Sequence, residues 1–268
     1  MASELEAEVS QNPAEAYESF FVPALFAPWA ELVADSVGIP PSATVLDVAC
    51  GTGILARTIS SRLGPSGSVT GLDINEEMLA VARGLAARID WRQGDATALP
   101  FGDSSFDRVV CQFGLMFFPD PGKALAEMVR VLEPGGRLGI AVWDNVERCE
   151  EYSKLTALLD RLYGQQVGDT LRAPFHMGDI SALLKLFESL AVSGVELEIK
   201  EEPARFPSLR DWMTADVWGW LAMKHAFTDA DFDKLMAAAF EELEMFVEED
   251  GTVLLQMRAH IISATGTG

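Results

Sequence analysis

The sequence predicts an α/β protein built on a mainly parallel sheet. Between residues 40 and 144, short apolar or β-branched runs alternate with stretches of helical periodicity, the pattern of repeated strand–helix–strand units. The first of these strands runs directly into a glycine-rich turn and a helix, an arrangement that open parallel sheets use for ligand binding. The 268 residues, 49% of them hydrophobic, are enough to bury one sizeable core.

Strands and helices alternate along this predicted sheet. Runs of β-branched and apolar residues predict the strands, which are residues 44–49, 68–73, 89–93, 108–113, 136–142, 195–200 and 252–262. Apolar stripes at helical spacing predict the helices, which are residues 76–87, 119–133, 152–163 and 178–190. The clearest helix has Asp120 as a capping residue and Pro121 in its first turn. We interpret residues 164–177 as a glycine-containing loop.

The composition predicts three regions. Residues 1–38 are predicted to be a helical lid segment, although packing of this segment against the sheet is an open alternative. The ligand-binding domain is predicted over residues 39–206 and 251–268. Residues 207–250, rich in Trp, Met and Ala, are predicted to be a helical insert that caps this domain.

Charge and cysteine content narrow the functional classes. The 20 Lys and Arg residues against 41 Asp and Glu residues give a net charge of -21, which repels polyanions, so we expect no nucleic-acid partner. The three cysteines, Cys50, Cys111 and Cys149, are too few and too far apart for a disulfide framework. None forms a CxxC pair, so no metal site is predicted. A reducing compartment is favoured.

The N-terminal segment and the apolar stretches predict neither secretion nor a membrane span. Acidic side chains lie among the first ten residues, where a signal peptide needs basic residues followed by an apolar run. The longest charge-free stretches, residues 19–30 and 109–119, are shorter than the roughly 18 apolar residues that a spanning helix needs. We therefore expect a cytoplasmic protein. No oligomeric state is predicted.

The glycine turn after the first strand is the main indication of a ligand site. Gly51 and Gly53 lack the Cβ atoms that would keep a ligand from the backbone, and the following helix offers unpaired N–H groups to an anion. Such a loop suits a nucleotide-like group or an amino-acid carboxylate. Together with Ala56 the two glycines also match the dinucleotide fingerprint GxGxxG/A. The alternative is a turn with a purely structural role.

Acidic and polar residues end the next three strands. Asp73 lies 20 residues after Gly53, a spacing at which a carboxylate accepts both hydroxyls of an adenosine ribose. Ile74 and Met78 follow it and offer an apolar wall to a purine. The remaining candidates are Asp95 and Ala96, at the adenine edge, and Gln112 and Phe113, at the end of the fourth strand. The alternative for Asp73 is a position in a solvated loop, and the alternative at the end of the fourth strand is ordinary core packing.

At these four segments the sequence resembles the class I S-adenosylmethionine-dependent methyltransferases. The resemblance is to the branch of the ubiquinone and menaquinone C-methyltransferases (methyltransferase type 11), and it covers residues 40–144. It implies a Rossmann-like seven-stranded, mostly parallel sheet with an antiparallel last strand, and S-adenosyl-L-methionine as the cofactor.

The resemblance also implies a role for each candidate residue. It implies that the loop containing Asp47, Ala49, Gly51 and Gly53 wraps the methionine moiety, that Asp73 holds the ribose, that Ile74 and Met78 flank the adenine, that Asp95 and Ala96 read its edge, and that Gln112, beside Phe113, lies near the methionyl amine. Ala49 departs from the family, whose loop commonly has glycine there. Because alanine lacks only the freedom of positive φ, we expect a small local change and retained binding.

Methyl transfer from a sulfonium requires alignment of a nucleophile and exclusion of water. A hydroxyl, phenol or acidic carbon also gains from a general base, typically by about 10² to 10⁴-fold. His176 and His225 are the candidate bases, with surface or packing roles as the alternative. Tyr17 is a candidate to cover the cofactor, with helix packing as its alternative.

The predicted function is methylation of a small organic acceptor, apolar or aromatic, at oxygen or carbon. It depends on Trp212, Trp218 and Trp220, with Met213 and Met223, forming an apolar pocket and not only the core of the insert. An NAD-dependent oxidoreductase is the enzymatic alternative, because it shares the glycine turn and the ribose carboxylate. The second alternative is a module that binds the cofactor but catalyses no reaction.

Overall fold

The computed structural model describes residues 12–219 and 228–268. The chain divides into two compact units, which we call the sheet unit and the helical unit. The sheet unit comprises residues 26–143, 177–200 and 259–268. The described part of the helical unit comprises residues 12–25, 144–176, 201–219 and 228–258. These boundaries lie elsewhere than the domain limits expected at residues 38, 206 and 250.

A seven-stranded sheet forms the centre of the sheet unit. Its strands are β1 (Thr44–Val48), β2 (Ser68–Asp73), β3 (Asp90–Gln93), β4 (Phe106–Gln112), β5 (Leu132–Trp143), β6 (Val192–Phe206) and β7 (Val253–Gly266). The strand order is β3-β2-β1-β4-β5-β7-β6. β1 to β5 pair in parallel, and β7 runs antiparallel to β5. The predicted seven-stranded sheet with an antiparallel last strand is confirmed.

The predicted strands are all present, and they differ from the predictions mainly at their ends. β1, β2 and β3 agree within one residue at each end. β6 and β7 are longer than predicted. β7 extends because its backbone pairing with β5 continues as far as Thr265 opposite Arg137, whatever the polarity of the side chains.

The α-helices connect and flank these strands. They are α1 (Pro13–Ala16), α2 (Ala27–Val37), α3 (Ile54–Arg62), α4 (Glu76–Leu85), α5 (Pro121–Val131), α6 (Glu150–Tyr163), α7 (Gln165–Arg172), α8 (Ile180–Lys185), α9 (Leu209–Met213) and α10 (Asp229–Glu242). Tyr17–Phe26 and Thr214–Gly219 are π-helical, and short 3-10 turns occur at Leu115–Phe117, Val146–Arg148, Ala173–Phe175 and Glu244–Phe246. At α5, the Asp120 side chain accepts a hydrogen bond from the Lys123 N–H at 2.9 Å, which confirms the predicted cap.

Helix α7 lies where the sequence predicts a loop. Glycine lowers helix propensity, and α7 contains Gly168. A Cβ atom at Gly168 would overlap the Asp160 carboxylate, which pairs with Arg172 at 2.6 Å. Close packing of α7 on α6 therefore requires this glycine and outweighs its low propensity. Helix α8, in contrast, is shorter than the predicted helix over residues 178–190.

The segment Pro13–Val37 is helical, as predicted for the N-terminal region, with a π-helical middle that contains Pro23. By length and composition it is apolar enough to cross a membrane, although 39% of its most apolar window is buried inside the protein. The core helices of soluble proteins and signal sequences pass the same test, so this segment is weak evidence for a span. The absence of a span remains a prediction.

An aromatic cluster packs α2 on the sheet. The rings of Phe113 and Trp143 stack with centroids 3.6 Å apart, and Trp29 and Phe26 pack against both. Gly139 in β5 lets α2 approach, because a Cβ atom there would lie 2.6 Å from Val37. This packing fixes the end of β4, where two candidate site residues lie.

Candidate functional site

The carboxyl ends of β1, β2, β3 and β4 meet at one edge of the sheet because these strands are parallel neighbours. The order changes direction at β1: β2 and β3 follow on one side, and β4 and β5 lie on the other. Open α/β sheets bind ligands in the crevice at such a switch point. The candidate residues of the first four strands therefore lie at the edge where a ligand is expected.

The turn after β1 has a left-handed backbone. φ is 58° at Ala49, 55° at Gly51 and 89° at Gly53. Gly53 is required by packing as well, since a Cβ atom there would overlap the ring of Trp91. Ala49 keeps the conformation that suits glycine, at a cost of about 1–2 kcal/mol for a residue with a Cβ atom. The small local change expected at Ala49 is thus backbone strain in this turn.

Helix α3 begins directly after this turn. Its N-cap is Gly53, and no side chain caps the helix. The first N–H groups of a helix have no partner within the helix, and the helix dipole gives this end a partial positive charge. The start of α3 therefore suits an anionic group such as a carboxylate.

Asp73 connects the end of β2 to the glycine turn. Its Oδ2 accepts a hydrogen bond from the Gly51 N–H at 2.8 Å, and its Oδ1 accepts one from the Asn75 N–H at 2.8 Å. Burial raises the pKa of Asp73, and these hydrogen bonds oppose the rise. Because a carboxylate has about four acceptor sites, Asp73 retains the capacity to accept hydrogen bonds from two hydroxyls.

Asp47 is a buried carboxyl group in β1, with only 1% of its surface exposed. Within the described residues, neither of its oxygens accepts a hydrogen bond of normal geometry. Burial raises the pKa of Asp47 to about 8, against the opposing effect of the Ala56 backbone N–H, and the Asp73 carboxylate adds to the rise. An uncompensated buried carboxyl group costs free energy, so a bound donor or cation would stabilise it.

Gln112 ends β4 on the other side of the switch point. Its Nε2 donates a hydrogen bond to the Phe26 carbonyl at 3.0 Å, which fixes the orientation of the amide. Its Oε1 is buried and has no hydrogen-bond partner in the described part of the chain. Asp47 and Gln112 thus provide unpaired acceptors on two adjacent strands, an arrangement that suits a ligand with several N–H donors.

The four residues expected around an adenine lie after β2 and β3. Ile74 is 69% exposed, and Met78 is half-buried in the first turn of α4. The Oδ1 of Asp95 accepts hydrogen bonds from the Thr97 N–H and hydroxyl, both at 2.8 Å, and these bonds lower the pKa of Asp95. Ala96 is buried. These positions leave an apolar surface at Ile74 and a charged group at Asp95.

Phe113 also has a left-handed backbone, with φ of 54°. Its ring belongs to the buried aromatic cluster and stacks on Trp143. Its N–H donates to the Ala141 carbonyl at 2.9 Å. These contacts account for Phe113 as a packing residue that sets the turn after β4, and its predicted contact with the cofactor remains a prediction.

Several candidates lie in the helical unit or outside the described residues. Tyr17 stacks on Phe21, with ring centroids 5.9 Å apart. His176 is exposed, and its Nδ1 lies 2.7 Å from the Ala173 carbonyl oxygen. Both residues belong to the helical unit, whereas the candidate cofactor-binding residues other than Tyr17 belong to the sheet unit. The candidates outside the described residues are Trp220, Met223 and His225, and the side chain of Trp218 is also undescribed.

Sequence reasoning did not predict the role of Arg130 in α5. Its guanidinium donates to the carbonyls of Leu99 and Phe101, and it pairs with Glu127 and Asp103. These bonds hold the loop that follows Asp95 and Ala96. The charges of Arg130, Glu127 and Asp103 are visible in the sequence. The contacts of Arg130, however, join residues 27 to 31 positions apart, except for the local Glu127 pair.

Sequence reasoning also did not predict a polar cluster buried inside the helical unit. Asp216 accepts hydrogen bonds at 2.6 Å from the Tyr152 hydroxyl and the Trp212 indole N–H. Trp212 and Met213 are fully buried in this unit, which favours a core role over a pocket. The only sequence signal was the spacing of four between Trp212 and Asp216, which places them on one helical face.

Comparisons with known proteins agree with this geometry. Residues 45–136 match the methyltransferase domain family. The chain is 49% identical over 114 residues to a demethylmenaquinone methyltransferase of Renibacterium salmoninarum, covering 42% of this chain and 46% of that protein. It is 47% identical over 116 residues to the ubiquinone/menaquinone biosynthesis C-methyltransferase UbiE of Hahella chejuensis, covering 41% and 47%. The match thus spans about half the length of these relatives.

A solved structure extends the likeness beyond the matched sequence. The YcgJ protein of Bacillus subtilis superposes with a TM-score of 0.61 at 20% identity, covering 89% of this chain and 98% of that one. At this identity the likeness shows the fold alone. It includes most of the chain, whereas the family match is confined to the first part of the sheet.

The match of residues 45–136 to the methyltransferase domain family, the fold and the switch-point site agree on a methyltransferase domain in this part of the chain. Over 114 to 116 residues the chain is similar to methyltransferases named for ubiquinone and menaquinone biosynthesis. The predicted fold is confirmed, and the predicted resemblance to methyltransferases is confirmed for residues 45–136. The roles of the individual site residues remain predictions.

Proposed function

We propose that the chain is an active S-adenosylmethionine-dependent methyltransferase that acts on a small apolar or aromatic acceptor. The observation that carries this proposal is the pair of unpaired acceptors, Asp47 and Gln112 Oε1, at the switch point of a methyltransferase domain. The methionyl ammonium of the cofactor has three N–H donors and a positive charge. It therefore supplies what these two buried groups lack.

The rest of the cofactor fits the surrounding groups. The uncapped start of α3 suits the methionyl carboxylate. Asp73 has acceptor sites left for the ribose hydroxyls, while its bond to Gly51 keeps the glycine turn beside them. Ile74 provides an exposed apolar surface for the adenine, and Asp95 provides an acceptor for its amino group. The net charge of -21 attracts a cationic cofactor.

The bound cofactor supplies an electrophilic methyl group, so the protein is left with positioning, exclusion of water and proton removal. We assign positioning to the glycine turn with Asp47, Asp73 and Gln112. His176 is the candidate to take a proton from the acceptor, because its ring is exposed and one nitrogen is oriented by the Ala173 carbonyl. Tyr17 remains the candidate to cover the cofactor.

The acceptor is proposed to be a quinone-like or phenolic ring, methylated at carbon or oxygen. Two similar proteins are named for methylation in quinone biosynthesis, which supports an acceptor of this chemistry. The acidic surface disfavours a strongly anionic acceptor and a nucleic-acid substrate.

We also propose that the protein works in the cytoplasm without a membrane span. All three cysteines are free and buried, and burial raises the pKa of Cys111 to about 12, so these thiols are protonated and unreactive at neutral pH. Free thiols suit a reducing compartment.

Ligand-dependent melting tests the proposed cofactor use against the two alternatives. S-adenosylhomocysteine at 100 times its Kd is expected to stabilise the protein by about 2.7 kcal/mol, whereas NADH is expected to have no effect. A reaction with methyl-labelled cofactor and a panel of demethylated quinones and phenols, followed by mass spectrometry, is expected to show one labelled product. Stabilisation by NADH alone would indicate an oxidoreductase. Binding of S-adenosylhomocysteine with no labelled product would indicate a non-catalytic module.

The His176→Ala variant tests the candidate base. We expect turnover about 10² to 10⁴-fold lower with cofactor affinity unchanged. The control is Arg148→Ala, which removes a different exposed side chain of the helical unit. Equal turnover by His176→Ala and wild type between pH 6 and 9 would make His176 a packing residue.

A further inference from the structure

Two turns at the switch point share an unusual backbone. Ala49, after β1, and Phe113, after β4, have φ of 58° and 54°, a region that non-glycine residues rarely adopt. Ala49 lies two residues after Asp47, and Gly114 lies two residues after Gln112. Each unpaired acceptor is therefore followed at once by a strained turn, and strain of this kind persists where the surrounding structure holds it.

The two turns contact each other at Ala49 and Gly114. A Cβ atom at Gly114 would lie 2.6 Å from the Cβ of Ala49 and 2.9 Å from the Sγ of Cys111. Carbon atoms in contact prefer a separation of about 3.5–4.0 Å. Gly114 has φ of -98°, which any residue adopts, so space alone requires a glycine.

We propose that Gly114 is a positioning residue of the cofactor site, required because residue 49 is alanine. The Cβ of Ala49 occupies the space that Gly114 leaves open, so a side chain at residue 114 would force apart the turns that carry Asp47 and Gln112. The inference rests on the proposed function, in which these two acceptors bind the methionyl ammonium. Phe113 contributes by holding the second turn against β5.

The physical consequence is a coupling between positions 49 and 114. A methyl group on Gly114 has to push the two turns apart, because the opposing atom is a Cβ attached to backbone and not the end of a flexible side chain. The two acceptors then no longer converge on one ammonium. Without the Cβ of residue 49 the same methyl group meets only the Sγ of Cys111, at 2.9 Å, which is the end of a side chain, so the effect of the first change depends on the second residue.

Calorimetric titration of four variants tests this coupling with two probes. S-adenosylhomocysteine carries the methionyl ammonium, whereas 5′-methylthioadenosine lacks it. For Gly114→Ala we expect S-adenosylhomocysteine to bind about 10- to 100-fold more weakly, and methylthioadenosine to bind within about threefold of wild type. Ala49→Gly and the double variant Ala49→Gly/Gly114→Ala are expected to bind both probes within about threefold of wild type. The control is Gly84→Ala in α4, where a Cβ atom meets nothing within 4 Å.

Three results would overturn the inference. In the first, Gly114→Ala binds S-adenosylhomocysteine as tightly as wild type. In the second, the double variant Ala49→Gly/Gly114→Ala binds it as weakly as Gly114→Ala does. In the third, Cys111→Ala/Gly114→Ala recovers wild-type affinity and the double variant does not. Melting temperatures separate poor folding from poor binding: if Gly114→Ala melts early, the double variant is expected to melt as wild type does. If the wild type binds neither probe, the proposed function fails, whereas the coupling in melting temperature still tests the contact.

Discussion

The sheet unit and the helical unit both bury a carboxyl group, but they surround it differently. In the helical unit, Asp216 accepts hydrogen bonds from the Tyr152 hydroxyl and the Trp212 indole N–H. In the sheet unit, Asp47 accepts no hydrogen bond of normal geometry from the described residues. Burial raises the pKa of both groups, to about 6 at Asp216, where the two donors oppose the rise, and to about 8 at Asp47.

This difference separates a group that serves the fold from one that is available to a ligand. A fully hydrogen-bonded buried cluster makes a core more specific and more rigid, so Asp216 needs no other explanation. An unpaired buried carboxyl group costs free energy, and a protein tolerates that cost where a ligand removes it. Asp73 is intermediate, since two backbone N–H groups already bind its oxygens.

The largest expected effect on ligand binding is that of Asp47→Asn. Loss of the carboxylate that meets the ammonium should weaken S-adenosylhomocysteine binding by about 2–3 kcal/mol, roughly 30- to 150-fold. The melting temperature without ligand should stay the same or rise, because a buried carboxyl group is removed. Calorimetry and thermal melting measure the two effects. Asp120→Asn, which keeps the cap of α5, is the control. Equal loss of affinity and stability would make Asp47 a structural residue.

Asp73→Ala should have the next largest effect. The variant loses bonds to the ribose hydroxyls and the partner of the Gly51 N–H, so we expect binding weaker by about 1.5–3 kcal/mol. Titration with S-adenosylhomocysteine measures this loss. Asp90→Ala, which removes an exposed carboxylate at the amino end of β3, is the control. Wild-type affinity in Asp73→Ala would remove Asp73 from the site.

The pH dependence of binding should reflect Asp47. Since the pKa of Asp47 is about 8 in the folded protein without ligand, the group is mostly protonated at pH 7, and an arriving ammonium favours its ionised form. Affinity should therefore rise by about 10-fold between pH 6.5 and 7.5, with release of close to one proton. Calorimetry in buffers of different ionisation enthalpy measures the proton. Asp47→Asn should bind without this release, and an unchanged release would assign the proton to another group.

The last expected effect does not involve the ligand and concerns the stability of the helical unit. Because the pKa of Asp216 is higher in the folded protein, at about 6, than the usual 3.8, the folded state holds this proton more tightly. Its contribution to stability is thus present below pH 4 and is lost as the pH rises through 6, by up to about 3 kcal/mol. The melting temperature of wild type relative to Asp216→Asn should fall over this range. A constant difference between pH 4 and 7 would contradict it.

Local features of the sequence predicted the sheet and the turns at its carboxyl edge, whereas contacts between residues far apart in the sequence were not predicted. The Asp120 cap, the glycine turn and Asp73 at a strand end depend on neighbours within a few residues, so pattern and spacing predicted them. The partners Tyr152 and Asp216 are 64 residues apart, and the Arg130 contacts to the loop after β3 span about 30. Gly168 in α7 and Gly114 beside Ala49 are explained only by atoms that the fold brings close.

A crystal structure with S-adenosylhomocysteine tests the account most directly. We expect the ligand in the crevice beside Gly51, with its amino group within hydrogen-bond distance of both an Asp47 oxygen and Gln112 Oε1. An amino group that contacts neither of them, or an adenosine bound away from Asp73, would contradict the assignment of the unpaired acceptors to the cofactor.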